Sequence, residues 1–152
     1  MLKHSSFFDL NFLKFPYSAI MIIKTQSKKV NKAWVNNHVN DPYVKLAQKE
    51  GYRARAAYKL KEIDDLFHLV KPGMRVVDLG STPGAWSQYV KRKLSEHEAP
   101  KESVAKIIAL DLLPMEHIEG VEFILGDFRE QECLQQLEAS LEGQKVQLVV
   151  SD

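Results

Sequence analysis

One stretch, residues 76–86 (Val-Val-Asp-Leu-Gly-Ser-Thr-Pro-Gly-Ala-Trp), constrains the fold of this chain more than any other. An apolar run ends in an acid, passes through a glycine-containing turn and enters a segment with helical spacing. Gly80 and Gly84 can adopt positive φ and let a ligand approach the backbone, and Pro83 stiffens the turn. The stretch therefore predicts a strand, a tight loop and a helix. The apolar face of that helix comprises Trp86, Tyr89, Val90 and Leu94.

The loop lacks the glycine spacing of a dinucleotide fingerprint. Counted from Gly80, G-x-G-x-x-G would need glycine at Thr82 and Ala85, so the backbone cradles a pyrophosphate poorly. A nucleoside without phosphate fits better, and S-adenosylmethionine is the common cofactor of that kind. An ordinary strand–turn–helix corner that binds no ligand is the alternative left open by these residues.

Composition and length limit the classes of protein that need to be considered. The 152 residues suffice for one domain with its own core. The single cysteine, Cys133, allows neither an intrachain disulfide nor a zinc cluster, and its position on the apolar side of a predicted helix favours core packing. No apolar run reaches the length of a membrane span, and residues 1–23 lack a signal-peptide core. We therefore predict a cytoplasmic protein that binds no metal.

Charge is distributed unevenly along the chain. Residues 1–75 contain 14 Lys and Arg against 6 Asp and Glu, whereas residues 76–152 contain 7 against 14. A basic front half favours a polyanionic partner such as nucleic acid, although a solvated basic tail is the simpler alternative. We predict a tail and basic arm over residues 1–30 and a domain over 31–152. Within and beside the arm, Lys28, Lys29 and Lys32 are the predicted phosphate contacts.

A helical region precedes the first predicted strand. Asp41 and Pro42 are typical of a helix start, and Gly51 of a helix end. The following segment, 52–63, is also predicted to be helical. Its cations are Arg53, Arg55, Lys59 and Lys61, and with Tyr52 and Tyr58 they predict a surface that binds RNA through charge and stacking. The alternative is an exposed helix whose cations only keep it soluble.

Strands and helices then alternate, which predicts an α/β fold with a parallel sheet. The predicted strands are 74–79, 104–110, 121–125 and 145–150, and the later helices are 86–95 and 129–142. Each strand ends at or beside an acid, and in such sheets ligands bind beyond the carboxyl ends of the strands. These acids are Asp78, Asp111, Asp127 and Asp152.

The four acids have separate predicted roles at this edge. Asp111, at the end of the second strand, is placed to hold ribose hydroxyls. Asp127 and Phe128 offer a polar tip and an apolar ring to an adenine. Asp78 can accept from loop amides or face a methionine ammonium, and Asp152 lies beside the first strand at the reactive end. Any single one of them is equally well an ordinary turn residue.

Five ordered motifs resemble the FtsJ/RrmJ-type ribosomal RNA 2′-O-methyltransferases, over a match that runs from about Trp34 to the last residue. The motifs are residues 53–60, 78–90, 111–115, 126–129 and 151–152. The resemblance implies a Rossmann-like methyltransferase fold with a basic helical extension, S-adenosylmethionine as cofactor and large-subunit (23S) ribosomal RNA as partner. It further implies methylation of a uridine ribose by a monomer. Ser81 and Thr82 replace two alanines that relatives often have, and Ala85 replaces a glycine.

The resemblance also implies residue roles. Lys59 matches the first lysine of the family's Lys-Asp-Lys-Glu tetrad and Asp152 its aspartate, and Lys59 joins Arg53 and Arg55 as an RNA contact. The positions that match the family's cofactor contacts are Gly84, Trp86, Asp111, Asp127 and Asp152. The residues themselves add Asp78, Gly80 and Phe128 as predicted cofactor contacts. The second lysine and the glutamate come later in the family, so we expect this chain to be an incomplete front portion, inactive alone. A methyltransferase with another substrate and a non-catalytic RNA-binding fragment remain alternatives.

Overall fold

The computed structural model describes residues 41–96 and 105–152. Its helices are α1 (Pro42–Glu50), α2 (Ala56–Phe67), α3 (Ala85–Ser95) and α4 (Gln131–Leu141), and its strands are β1 (Arg75–Leu79), β2 (Lys106–Asp111), β3 (Val121–Leu125) and β4 (Leu148–Ser151). The predicted arm and its Lys28, Lys29 and Lys32 lie outside the described residues. None of the helices within these two ranges has the length and apolar character needed to cross a membrane.

The four strands form one parallel sheet in the order β3-β2-β1-β4. Val77 of β1 lies level with Ile108 on one side and Val149 on the other. This central strand ends in the loop that the sequence singled out. The predicted α/β class and parallel sheet are confirmed.

Alternation along the strands sends side chains to two apolar clusters, one on each face. On one face Val76, Ile107 and Val150 pack with Leu60 of α2 and Trp86 of α3. On the opposite face α4 covers the sheet, with its buried residues Cys133, Leu137 and Leu141 against Val77, Ile108 and Val149. The prediction that Cys133 is core packing is confirmed, since only 4% of it is exposed.

Element boundaries differ from the sequence predictions at several ends. β4 begins at Leu148 rather than Lys145, because residues 142–143 form the turn after α4 and residues 144–147 lead from it to the strand. At the end of this lead, the Gln147 amide donates to the Arg75 carbonyl and the Gln147 side chain accepts from the Arg75 amide. α4 begins at Gln131, after Asp127 caps a turn at Arg129. At α1 the predicted cap is confirmed: the Asp41 carboxylate accepts from the Tyr43 amide at 2.8 Å, and Gly51 ends the helix with φ of 75°.

Polar contacts hold α2 against α3. Asp64, 2% exposed, accepts from the Tyr89 hydroxyl at 2.7 Å and from the Val70 amide at 2.8 Å. The Trp86 indole nitrogen donates to the Ala56 carbonyl at 2.7 Å. A buried carboxylate tolerates its loss of water only when such donors replace it. These bonds fix the height of α2, and with it Lys59, relative to the carboxyl edge of the sheet.

Candidate active site

The loop after β1 is bonded to the end of β2. The Gly80 amide donates to the Leu110 carbonyl at 2.8 Å, and the Thr82 amide donates to Asp111 Oδ2 at 2.8 Å. The Thr82 hydroxyl donates to the Leu113 carbonyl at 3.0 Å. Asp111 therefore lies at the loop, as predicted, and its other oxygen accepts from the Leu113 amide at 2.9 Å.

The two loop glycines meet different surroundings. Gly80 has φ of 72°, and a Cβ added there would meet nothing within 4 Å, so its backbone faces open space. Gly84 has φ of 108°, and its Cβ would lie 2.7 Å from Ile118 Cδ1 and 2.9 Å from the Met115 sulfur. The positive φ is what requires glycine at 84, and the lack of a Cβ lets Ile118 and Met115, from the segment between β2 and β3, approach closely.

Asp78 lies under the start of α3 and is 2% exposed. Its carboxylate accepts from the Ser87 hydroxyl at 2.7 Å. Burial raises the pKa of Asp78 to about 7, the Ser87 bonds oppose the rise, and the charges of Asp111 and Asp152 add to it. The sequence predicted bonds to loop amides or a methionine ammonium; the structure shows a helix-start contact within a cluster of three acids.

Asp127 lies two residues after β3 and is paired with Arg129. The guanidinium donates to both carboxylate oxygens, with Arg129 Nε 2.9 Å from Oδ1 and 3.0 Å from Oδ2, and the Arg129 amide bonds to Oδ1. These bonds lower the pKa of Asp127 to about 2. Phe128 packs against the apolar cluster beneath α4. An adenine amine would have to share Asp127 with Arg129, a contact that the sequence did not predict.

Lys59 and Asp152, distant in sequence, meet at the carboxyl edge of the sheet. Lys59 Nζ lies 2.8 Å from Asp152 Oδ1, and about a third of each side chain is exposed. The ammonium also lies 6.0 Å from the centre of the Trp86 ring. Trp86 itself is 3% exposed and belongs to the core beside Lys59, rather than to the open face of the loop.

Arg53, a predicted RNA contact, instead holds the loop. Its guanidinium donates to the carbonyls of Pro83 at 3.0 Å, Glu116 at 2.7 Å and His117 at 2.9 Å. It thereby ties the loop after β1 to the segment between β2 and β3. These contacts use three of the five N–H donors of the guanidinium, so Arg53 has fewer left for an RNA phosphate, and the predicted RNA contact stays a prediction. Sequence reasoning missed this role, since nothing local marks which carbonyls a guanidinium will find.

The predicted stacking surface of Tyr52 and Tyr58 is wrong. Tyr58 is 6% exposed and its hydroxyl donates to Glu50 at 2.7 Å. Tyr52 is half-buried, with the Arg92 guanidinium 4.1 Å from its ring centre. Both rings pack between the helices because Gly51 turns α1 back onto them. Arg55, by contrast, is exposed and pairs with Asp41.

One buried hydroxyl beside the loop supports a site for a ligand of the size of S-adenosylmethionine. Ser81 is 5% exposed, and its hydroxyl has no hydrogen-bond partner within residues 41–96 and 105–152. A buried polar atom without a partner costs free energy that a bound polar group would recover. The same loop offers the open backbone at Gly80 and the acid Asp111. The arrangement suits a ligand with polar groups at both ends.

Comparison with known proteins decides the family. The model of the FtsJ-like methyltransferases matches residues 52–152. The chain belongs to this family. The match begins at the segment before α2 and includes β1, its loop and all four strand-end acids. The resemblance inferred from five motifs is confirmed.

Two relatives of high identity share the same name. The chain is 67% identical over 133 residues to the ribosomal RNA large subunit methyltransferase E of Delftia acidovorans, which covers 87% of the chain and 61% of the relative. It is 66% identical over 133 residues to the protein of that name from Variovorax paradoxus, covering 87% and 60%. The FtsJ-like chain thus spans about 60% of the length of these relatives.

A solved structure is similar to this chain at lower sequence identity. A Plasmodium falciparum protein assigned as a ribosomal RNA methyltransferase superimposes with a TM-score of 0.57 at 31% identity. The match covers 66% of this chain and 56% of that one. The partial Rossmann-like methyltransferase fold is thereby confirmed.

Proposed function

We propose that the protein transfers a methyl group from S-adenosylmethionine to a uridine 2′-hydroxyl of 23S ribosomal RNA in the large subunit. The observation that carries the proposal is the pair of Lys59 and Asp152, whose atoms lie 2.8 Å apart at the edge where the β1 loop opens. The name of the 67% identical relative supports the substrate. We further propose that it acts as a monomer in the cytoplasm, where it meets ribosomal subunits.

The chain's own residues are assigned as follows. Asp111 holds ribose hydroxyls, and Asp127 with Phe128 contacts the adenine. The methionine end would lie against the open backbone of Gly80, beside the buried Ser81 hydroxyl, while Gly84 and the buried Asp78 would support the loop from within. Asp78 and Asp111 lie near the carboxyl ends of the neighbouring strands β1 and β2, so one ligand can span them. When bound, the cofactor supplies an electrophilic methyl group on a sulfonium.

Lys59 and Asp152 act on the RNA side. In the proposed reaction the 2′-oxygen would attack the methyl carbon while the carbon–sulfur bond breaks, S-adenosylhomocysteine would leave, and the hydroxyl proton would pass to a basic group or to solvent. Most of the rate gain comes from holding the reacting atoms in line. Lys59 is held by Asp152 with about a third of its side chain exposed, so it can bind the ribose or a neighbouring phosphate. Asp152 thereby fixes the position of the ammonium, and it lies beside the cofactor's reactive end. The basic arm with Lys28, Lys29 and Lys32, together with Arg55, adds phosphate contacts.

The test separates cofactor binding from catalysis. S-adenosylmethionine binding to the chain is measured by calorimetry; Asp111→Ala is expected to weaken it about tenfold or more because the ribose hydroxyls lose a charged acceptor. Lys59→Ala is expected to leave binding within about threefold but to abolish transfer of a tritiated methyl group to large-subunit RNA by the whole protein. Absence of cofactor binding would refute the proposal. RNA binding that does not weaken with salt would favour a different substrate.

A further inference from the structure

A cleft of about 460 Å³ lies between α1, α2 and the end of β4. One end holds the pair of Lys59 and Asp152, and Tyr43 lines the same cleft from α1. Tyr43 is 45% exposed, unlike the buried Tyr58 behind it, whose ring centre lies 5.5 Å away. The volume is within the range of sites that hold a small molecule or a nucleoside. The cleft therefore connects an accessible aromatic ring to the proposed reaction centre.

The charges lining the cleft are balanced. Arg55 and Lys59 supply two cations, and Glu62 and Asp152 supply two carboxylates. Tyr43 donates to Glu62 at 2.9 Å, so the ring is held in place by its hydroxyl while its carbon face remains partly exposed. Balanced charge disfavours a highly charged phosphate cluster and suits a flat, neutral group flanked by a single phosphate. An aromatic ring beside a guanidinium is the combination with which proteins stack unpaired RNA bases.

We propose that Tyr43 stacks on an unpaired base of the RNA segment that carries the acceptor ribose, with Arg55 exchanging Asp41 for the adjoining phosphate. The inference rests on the proposed function and deepens it, since it assigns the base-binding surface. Tyr43 takes the role for which Tyr52 and Tyr58 are unsuited, because their rings pack within the protein. Its location places the stacked base next to Lys59.

The test measures binding of the chain to a single-stranded oligouridylate that carries one 2-aminopurine, whose fluorescence falls when it stacks. Tyr43→Ala is expected to weaken binding about 5- to 100-fold and to abolish the fluorescence decrease. Tyr43→Phe keeps the ring and loses only the bond to Glu62, so binding is expected to stay within about twofold of the wild type. Phe67→Ala is the matched control, because it removes an aromatic ring that is 61% exposed and does not line the cleft.

Salt dependence separates the two residues. Arg55→Gln is expected to reduce the slope of log affinity against log salt by about one, whereas Tyr43→Ala leaves the slope unchanged. If Tyr43→Phe weakens binding as much as Tyr43→Ala, the tyrosine acts only through Glu62 and the inference is overturned. Equal RNA binding by Tyr43→Ala and the wild type overturns the inference as well, and unchanged cofactor binding in that variant leaves the proposed function standing. Failure of the wild-type chain to bind RNA would overturn the proposed function too.

Discussion

Replacement of Arg53 by lysine tests whether the loop after β1 is held from outside. The guanidinium reaches three carbonyls, those of Pro83, Glu116 and His117, at 2.7–3.0 Å. The carbonyls lie on two separate segments, and two guanidinium nitrogens share them. A lysine ammonium keeps the charge but has one nitrogen, so it can bridge the two segments only poorly. Arg53→Lys therefore removes geometry and leaves net charge unchanged.

The expected loss follows from the number of bonds. A hydrogen bond from a charged donor contributes about 1.5–3 kcal/mol, and solvent access places these bonds at or below the low end. If lysine keeps one of the three, the free energy of unfolding falls by about 2–3 kcal/mol. For a chain of this size that corresponds to a decrease in Tm of about 5–10 °C. The freed loop must also be ordered on binding, so affinity for S-adenosylmethionine falls about tenfold.

Chemical denaturation and calorimetry measure the two effects separately. Arg55→Lys is the matched control, because Arg55 lies two residues away, is 51% exposed at its side chain and pairs only with Asp41 among the partners seen. Its unfolding free energy is expected to change by less than about 1 kcal/mol, and its cofactor affinity not at all. If Arg53→Lys matches wild type in both measurements, the three carbonyl contacts do not hold the loop and the reasoning is refuted.

Two further substitutions and one labelling experiment examine buried groups. The pKa of Asp78 is raised to about 7, so its contribution favours the folded state below the unfolded pKa and is lost as pH rises toward 7; Asp78→Asn should flatten that decline in denaturation midpoints between pH 4 and 8. Ser81→Ala should leave the free protein as stable or up to about 1 kcal/mol more stable, yet weaken S-adenosylmethionine binding severalfold in calorimetry, and a stability loss would contradict this. Cys133, whose pKa is raised by burial, should react with iodoacetamide only after unfolding, as mass spectrometry of pulse-labelled protein would show.

The sheet and its acidic edge could be predicted because they depend on local pattern. The run Val76–Leu79 has apolar residues on both faces and one acid, Asp78, near its end, as suits a buried parallel strand, and β1 is indeed paired on both sides. An acid at or just beyond the end of each strand then reaches the same edge by topology alone. The pairing of Lys59 with Asp152 was predicted on a different basis, because it was implied by the family resemblance. No local pattern specifies a contact between residues that are 93 positions apart.

The aromatic and basic residues before β1 could not be assigned from sequence. The sequence does not distinguish the rings of Tyr43, Tyr52 and Tyr58. Only the packing of α1 on α2 and α3 determines which of these rings stays accessible to solvent. Gly51 reverses the chain, and the Gln88 side chain then accepts from the Arg53 amide at 2.8 Å and donates to the Gly51 carbonyl at 3.1 Å. These long-range bonds turn Tyr52 inward. Helix propensity and the spacing of apolar residues contain no information about these long-range bonds.

Counting cations overestimates the charge that RNA can use at this surface. Arg53 is committed to carbonyls of the loop, and Arg92 to the Glu50 carbonyl and the Tyr52 ring. Lys59 and Arg55 are each matched by a carboxylate. A phosphate that binds to one of these cations therefore has to displace the partner that the cation already has, which releases little free energy per contact. Binding then depends also on where a base can stack. If Tyr43 stacks a base as proposed, selectivity at this surface is expected to depend on the shape of the cleft at Tyr43 more than on positive charge.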